Sequence, residues 1–162
     1  MTDGAFSPGA RAAIYALDDG RCIGCGRTDL SAQHRRGRQS GGTSLEDIGH
    51  PANGLPLCGG ALAGVVGCHG WTERHPILGV LLGWRLLPDQ PALGTPFWTR
   101  TWSWRAWTLV DGWPHHTYID PDTELPNLTR HPNTHIPDRA GAVDLFRAAR
   151  LTKTTTKSRR TA

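Results

Sequence analysis

The sequence predicts an α+β protein with a small core that its four cysteines draw together. A Trp-rich β-hairpin region follows the core, and a basic tail that we expect to be disordered ends the chain. Three observations predict this. The cysteines form two pairs separated by 32 residues, in a stretch rich in glycine. Trp98, Trp102 and Trp104 share one parity along residues 97–110, as residues on one side of a strand do. From residue 144 onward six basic side chains face one acidic side chain, whereas residues 1–143 sum to −1.

The chain length of 162 residues is ordinary for one domain with tails. We divide it into an N-terminal helix (1–20), a core (21–84), a Trp-rich β extension (85–119) and a Pro-rich linker with the basic tail (120–162). The N-terminus lacks the basic and apolar regions of a signal peptide. The longest apolar stretch, residues 77–87, is too short and too interrupted to span a membrane. We therefore expect a cytoplasmic protein without membrane contact.

The first element is a short helix in FSPGARAAIYALDDG, residues 6–20. Ser7 suits the N-cap because its hydroxyl can accept a backbone N–H of the first turn. Pro8 suits the first helical position, and Gly20 can end the segment. The alanines and Tyr15 of this helix are expected to serve packing alone.

Two strands and a second helix are expected in the core. Weak alternation after residue 29 predicts a strand that ends near His34, and NGLPLC (53–58) predicts a second extended segment. A helix can begin at His69. Pro76 should end or kink this helix, because the residue before a proline disfavours helical geometry.

The Trp-rich segment FWTRTWSWRAWTLV (97–110) alternates as a strand does, and Asp111-Gly112 after it predicts a hairpin turn. The tryptophans could stack on bases, but we expect them to pack in a core. From residue 120 the chain is rich in proline and poor in apolar residues, which predicts an extended or disordered linker. AVDLFRAARL (142–151) could form one short helix before the basic end. Such basic ends often bind nucleic acid, and the alternative is a tail that only favours solubility.

The cysteines predict a structural zinc site made of Cys22, Cys25, Cys58 and Cys68. Disulfides and unrelated buried thiols are the alternatives, and the lack of a secretory signal disfavours disulfides. A C-x2-C turn flanked by glycine commonly directs two thiolates at one metal ion, at about 2.3 Å each. The glycine-rich loop between the second pair allows the chain to fold back onto the same ion. Such a closed site stabilises the fold and does no chemistry itself.

His34, Asn53 and His69 follow one another in an order that zinc binding would draw together. With the motifs RCIGCG, AQHRRGRQSGGTS, NGLPLC and GCHGWTERHP, this order resembles the HNH endonucleases. Together these motifs look like those of the small HNH proteins of tailed phages that infect actinobacteria, which are often encoded near packaging genes. The resemblance covers roughly residues 20–84. It implies a ββα-metal (HNH, His-Me finger) core and metal-dependent hydrolysis of phosphodiester bonds in DNA, by nicking or by double-strand cutting.

The resemblance also implies a role for each of the three side chains. His34 matches the general base that activates water, a task that suits the near-neutral pKa of histidine. Asn53 matches the residue that orients the base or pins its loop. His69 matches a ligand of the catalytic divalent ion, which could be Mg, Mn, Ni or Zn. That ion would polarise the scissile phosphate and stabilise the leaving 3′ oxygen.

The sequence departs from the family at Gln33, where many members have an aspartate that binds the catalytic ion. An amide oxygen is a poorer ligand than a carboxylate, so another side chain should complete the site. His75 and Glu73 are the nearest candidates, and His50 lies further away. We take His75 as the tentative second ligand, and the alternative is that it only ends the helix.

Arg35, Arg36 and Arg38 follow the base directly and are predicted to contact the DNA backbone. The alternative is a solvated basic loop. Besides DNA, the resemblance implies phage terminase or other packaging proteins as partners, in the host cytoplasm. Two other functions stay open: a catalytically inactive zinc module that binds DNA or a packaging partner, and a structural or regulatory subunit that acts through the Trp-rich segment. The sequence does not determine the oligomeric state.

Overall fold

The computed structural model is a mixed α and β structure with two small sheets. It describes residues 5–37, 47–60, 67–88, 90–101, 103–119 and 141–148. The elements are α1 (Pro8–Ala16), β1 (Leu30–His34), a 3-10 turn (Pro51–Asn53), β2 (Gly54–Cys58), α2 (Cys68–Arg74), α3 (Pro76–Leu81), β3 (Phe97–Thr99), β4 (Ser103–Val110), β5 (Trp113–Ile119) and α4 (141–148). None of the helices in these ranges is long and apolar enough to cross a membrane. Arg38, the linker at 120–140 and the chain after residue 148 lie outside the described residues.

Helix α1 begins as its sequence predicts and ends at Ala16, four residues before Gly20. The Ser7 hydroxyl accepts the backbone N–H of Ala10 at 3.1 Å, and Pro8 is the first helical residue. Gly20 has a positive φ of 71°, which a glycine adopts without strain, and it closes the turn after the helix. Ile14 is fully buried where α1 packs against the β1–β2 hairpin.

Strands β1 and β2 form an antiparallel hairpin. Its register pairs Leu30 with Cys58 at one end and His34 with Gly54 at the other. Every residue of β2 is buried, and α2 packs against this strand. The two extended segments expected from the sequence are therefore adjacent strands, and α2 lies beside them.

Pro76 breaks the second helix into two. α2 ends at Arg74, His75 leaves the helical region with φ −126° and ψ 63°, and α3 begins at Pro76. This is the break that the sequence predicted, because proline disfavours helical geometry at the residue before it.

The Trp-rich segment forms an antiparallel sheet in the order β3-β4-β5. The sequence suggested one long strand from residue 97 to 110, but a turn after Thr99 divides it, and Trp98 pairs with Trp104 across that turn. The predicted hairpin is present: Asp111 and Gly112 both have positive φ and join β4 to β5. Trp98 and Trp107 are buried, as packing residues should be.

Helix α4 overlaps the short helix that the sequence predicted at 142–151, so the expectation of disorder from residue 120 onward is wrong for residues 141–148. The burial of this helix was not predicted. The ring of Phe146 lies 4.9 Å from the rings of Trp71 and Trp84 and 5.8 Å from that of Trp98, each in an edge-to-face arrangement. One apolar face of the helix covers this tryptophan cluster. That face also contains Ala142 and Val143.

The core and the β extension share one hydrophobic interior. The indole N–H of Trp84 donates to the Trp98 carbonyl at 2.8 Å, and that of Trp107 donates to the Gly54 carbonyl at 3.2 Å. The β extension therefore packs against the β1–β2 hairpin and stabilises it.

Candidate metal centre and active site

The four cysteines form one cluster. The sulfur atoms of Cys22, Cys25, Cys58 and Cys68 all lie within 4.8 Å of one another. A tetrahedral ion with metal–sulfur bonds of about 2.3 Å sets its sulfurs roughly 3.8 Å apart, so the spacing suits a single ion. Within the described ranges, no other set of three or more His, Cys, Asp or Glu side chains lies close enough to share an ion. The cluster could hold a metal ion such as zinc.

The backbone around the cluster is built for close approach. The amide of Gly26 donates to the Cys22 carbonyl at 2.8 Å, which closes the C-x2-C turn. The backbone N–H of Cys68 donates to the Cys58 sulfur at 3.3 Å. A Cβ atom at Gly24 would lie 2.7 Å from the Trp84 ring and 3.0 Å from the Cys68 sulfur. Only glycine fits at that position.

The thiols differ in acidity. A hydrogen bond from Cys22, aided by one from Cys68, lowers the pKa of Cys58. The hydrogen bond with Cys58 raises the pKa of Cys22 to about 11, and hydrogen bonds with Cys22 and Cys58 raise the pKa of Cys68. The sulfurs of Cys25 and Cys58 are 3.3 Å apart, well beyond the roughly 2.05 Å of a disulfide. All four are free cysteines, and metal binding would release the protons of the remaining thiols.

Two polar contacts join β1 to α2 beside this cluster. Ser31 Oγ lies 2.6 Å from His69 Nδ1, and Gln33 Nε2 donates to Glu73 Oε1 at 3.0 Å. Ser31 and Gln33 share one face of the strand, and His69 and Glu73 share one face of the helix at i and i+4. The four side chains therefore form a pair of parallel bridges between strand and helix.

The Ser31 contact determines which nitrogen of His69 is protonated. The Ser31 hydroxyl also faces the carbonyl oxygens of Leu57, at 3.2 Å, and of Gly59. Carbonyl oxygens only accept hydrogen bonds, so the Ser31 hydroxyl donates its single hydrogen toward them. Ser31 Oγ must therefore accept a hydrogen bond from Nδ1–H of His69. Nε2 of His69 then carries the lone pair, as in metal-binding histidines whose other nitrogen is held by an outer partner. Burial also lowers the pKa of His69, although the charge of Glu73 opposes this, and the neutral ring is the form that binds metal.

Gln33 presents an amide oxygen that has no hydrogen-bond partner among the described residues. The side chain is 2% exposed, and its nitrogen donates to Glu73 and to the His34 carbonyl. Its Oε1 is buried without a hydrogen bond to any described residue, which is rare for a buried polar atom. Partial burial acts to raise the pKa of Glu73, but the hydrogen bond from Gln33 and the charge of Arg85 outweigh it and lower that pKa. Glu73 is therefore a carboxylate at neutral pH.

His34 and Asn53 lie at the other end of the hairpin. His34 ends β1 and is half-buried, and its ring stacks on that of Phe6. Asn53 is 1% exposed, its Oδ1 accepts the backbone N–H of Arg36 at 2.7 Å, and its Nδ2 donates to the Ile48 carbonyl at 2.9 Å. Of the two roles considered for Asn53, these contacts match the pinning of the loop that follows His34.

The prediction that Arg35 contacts DNA is wrong. Its side chain is fully buried and donates at 2.8–2.9 Å to carbonyls between residues 83 and 95. Burial lowers the pKa of Arg35 to about 9, which leaves it charged at neutral pH. Arg36 is only 14% exposed and is held by Asp47 at 3.0 Å, so it too is a poor DNA contact. Arg38 lies outside the described residues, and its contact with DNA stays a prediction.

His75, the tentative second metal ligand, belongs to no group of three or more described His, Cys, Asp or Glu side chains that could share an ion. It is exposed at the break between α2 and α3, where its ring lies 4.9 Å from that of Trp71. This matches the alternative role, the end of a helix. Glu73, the other candidate from the sequence, is the residue that faces Gln33.

Comparisons of this chain with models of protein families, with curated proteins and with solved structures found no match. The likeness to HNH endonucleases thus remains a resemblance that the motifs of residues 20–84 carry. Any functional assignment depends on these residues and on the geometry described above.

Proposed function

We propose that this protein is an HNH endonuclease that hydrolyses phosphodiester bonds in DNA with the help of a divalent ion. The observation that carries the proposal is the arrangement of β1, β2 and α2 around the cysteine cluster. A histidine ends the first strand of an antiparallel hairpin, a buried asparagine precedes the second strand, and another histidine lies in the first turn of the helix packed on it. A ββα-metal nuclease needs its base, its loop-holding amide and its metal ligand at these three positions.

His69, Glu73 and Gln33 are the residues that would hold the catalytic ion. His69 offers Nε2, Glu73 a carboxylate and Gln33 its unpartnered Oε1. A set of imidazole and oxygen donors is compatible with Mg, Mn, Ni or Zn. When bound, the ion supplies Lewis-acid stabilisation of the leaving 3′ oxygen. Glu73 also pairs with Arg85 at 3.0 Å, but both side chains are partly exposed, and such pairs contribute only about 0–1 kcal/mol. Replacing Arg85 by a metal ion as the partner of Glu73 therefore costs little free energy.

His34 is the proposed general base, which takes a proton from the water that attacks phosphorus. Adjacent residues of a strand face opposite sides, so Gln33 and His34 flank the end of β1. A phosphate lying across this strand end would meet the ion on one side and the base on the other. Asn53 keeps the loop after His34 in place and so preserves this geometry.

DNA is the proposed partner of this site. Arg38 and the basic tail remain as proposed contacts with the DNA backbone, because Arg35 and Arg36 are used within the fold. A cytoplasmic role beside phage packaging proteins rests on the resemblance alone.

A catalytically inactive DNA-binding module is the second candidate, and one observation favours it. Gln33 replaces the usual aspartate, and Glu73 already has partners in Gln33 and Arg85. The site is then a closed polar network rather than an ion site.

Cleavage of supercoiled plasmid by the purified protein separates the two functions. Wild-type protein would be incubated with Mg²⁺, Mn²⁺, Ni²⁺ or Zn²⁺ in turn, beside His69→Ala and the matched control His115→Ala on exposed strand β5. The nuclease proposal expects nicked or linear product from wild type and the control, but not from His69→Ala. If no ion supports cutting, although the protein carries zinc and retards DNA in a gel, the inactive module is the correct function.

A further inference from the structure

We propose that Phe6 is a positioning residue for His34. Its ring holds the imidazole in the orientation that a general base needs, and this inference rests on the proposed function of His34. Phe6 lies before α1, outside the stretch that resembles HNH endonucleases.

The contact between the two rings is close and nearly parallel. Their centroids are 3.9 Å apart and their planes differ by 14°. Phe6 is 5% exposed, so its ring is a fixed surface and not a mobile neighbour. Rotation of the imidazole about its Cβ–Cγ bond would drive ring atoms into the face of Phe6, because van der Waals contact is already reached at about 3.5–4.0 Å. The stack therefore restricts the direction in which the ring nitrogens of His34 point.

Helix α1 fixes Phe6 from its own side. Phe6 directly precedes the N-cap Ser7, at the position where an apolar residue commonly sets the entry angle of the chain. Arg11, one turn into the helix, donates from Nε to the Phe6 carbonyl at 3.2 Å, and its backbone N–H donates to the Ser7 carbonyl at 2.9 Å. The backbone of Phe6 is thus bound to the first turn of α1.

Gly54 makes room for this arrangement. It is the partner of His34 across the β1–β2 hairpin. A Cβ atom at Gly54 would lie 2.1 Å from Ile14 Cδ1 and 3.1 Å from Phe6 Cζ. Without a side chain at Gly54, α1 can pack flat on the hairpin and bring Phe6 to His34. The glycine of the NGLPLC motif therefore acts on the proposed base through the N-terminal helix.

A general base at the end of a strand needs such support. Only a base within hydrogen-bond reach of the attacking water contributes, and small misplacements of a catalytic group cost up to about 100-fold in rate. Loss of a ring that orients the base without touching substrate should cost less, about 10-fold in kcat. KM should not change, since DNA binding does not involve Phe6.

Phe6→Leu tests the role, with Ile14→Val as the matched control. Both variants trim the same apolar cluster, but only the first removes the ring under His34. Phe6→Met serves if Phe6→Leu does not fold. We expect kcat for plasmid nicking to fall about 10-fold in Phe6→Leu at unchanged KM, and to stay near wild type in Ile14→Val. The His34 ring protons should also lose the upfield NMR shift that the Phe6 ring current imposes.

The outcomes distinguish a failure of the proposed function from a failure of the positioning role of Phe6. If wild type does not cut, or His34→Ala cuts like wild type, the proposed function is wrong and the positioning role is lost with it. If His34→Ala is inactive but Phe6→Leu cuts like Ile14→Val, only the positioning role is overturned. An unshifted set of His34 ring protons in wild type overturns it as well, whatever the activity.

Discussion

Replacement of Arg35 by methionine should destabilise the protein without weakening its contact with DNA. Arg35 donates from Nε to the Gly83 carbonyl at the end of the core, and from NH1 and NH2 to the Ala92 and Thr95 carbonyls of the β extension. Its guanidinium also lies 5.3 Å from the ring centre of Phe97. Among the described residues these contacts are with backbone oxygens and an aromatic ring, not with a carboxylate.

The expected magnitude follows from these contacts. Hydrogen bonds of charged groups contribute roughly 1.5–3 kcal/mol each after desolvation, so the three short bonds of Arg35 contribute about 5 kcal/mol at the lower end. Burial of the methionine side chain returns about 2 kcal/mol. The net loss is about 3 kcal/mol. With a urea m-value of about 2 kcal/mol/M, the unfolding midpoint should fall by roughly 1.5 M.

Urea unfolding in the presence of zinc, followed by circular dichroism, measures this loss. Arg27→Met is the matched control, because Arg27 pairs with Asp29 at the surface and its loss should cost less than about 1 kcal/mol. DNA affinity and its salt dependence should match wild type in both variants. If Arg35→Met unfolds at the same urea concentration as Arg27→Met, the buried contacts of Arg35 do not stabilise the fold. If the salt slope of DNA binding falls by about one for Arg35→Met alone, Arg35 contacts a phosphate, because such a fall is the effect of a lost phosphate contact.

Three further predictions concern the cysteine cluster and the proposed site of the catalytic ion. Cys25→Ser, or a strong chelator, should remove one equivalent of zinc and abolish cooperative unfolding, since metal binding in such sites is coupled to folding. Metal analysis and circular dichroism measure the two effects, and an unchanged unfolding curve would contradict the prediction. Ser31→Ala should leave the fold intact, but the His69 proton should no longer be held on Nδ1, and Mn²⁺ binding should weaken about 10-fold. The ¹⁵N shifts of the His69 imidazole and the Mn²⁺ titration should change together. Unchanged values would show that Ser31 does not orient His69. Glu73→Gln should lower nicking by about 10- to 100-fold, whereas His75→Gln should cut like wild type; equal losses would restore His75 as a ligand.

Local features of the chain were predictable. The cap at Ser7, the break at Pro76 and the turn at Asp111-Gly112 depend on neighbours in sequence, and the structure contains all three. The grouping of the four cysteines was predictable because a metal site has fixed ligand types and a short reach. Ser31 could also have been found, since it lies two positions before Gln33 and so on the same face of the strand.

Contacts between distant segments were not predictable. Arg35 looks like a member of a basic loop, and the carbonyls that it binds come 48 to 60 residues later in the chain. The burial of Phe146 depends on three tryptophans that α2, the loop after α3 and β3 bring together. The stack of Phe6 on His34 requires the packing of α1 on Gly54. No periodicity or spacing in the sequence predicts these contacts, because they form only when the helices and strands pack together.

Chemical rescue tests the proposal that His34 acts as a general base on a zinc-stabilised scaffold. The rate of plasmid nicking would be measured for wild type and His34→Ala, each without and with added imidazole. We expect a loss of about 100- to 10,000-fold in His34→Ala at unchanged zinc content, with part of the rate restored by imidazole. Cutting by His34→Ala at the wild-type rate would show that His34 is not the base.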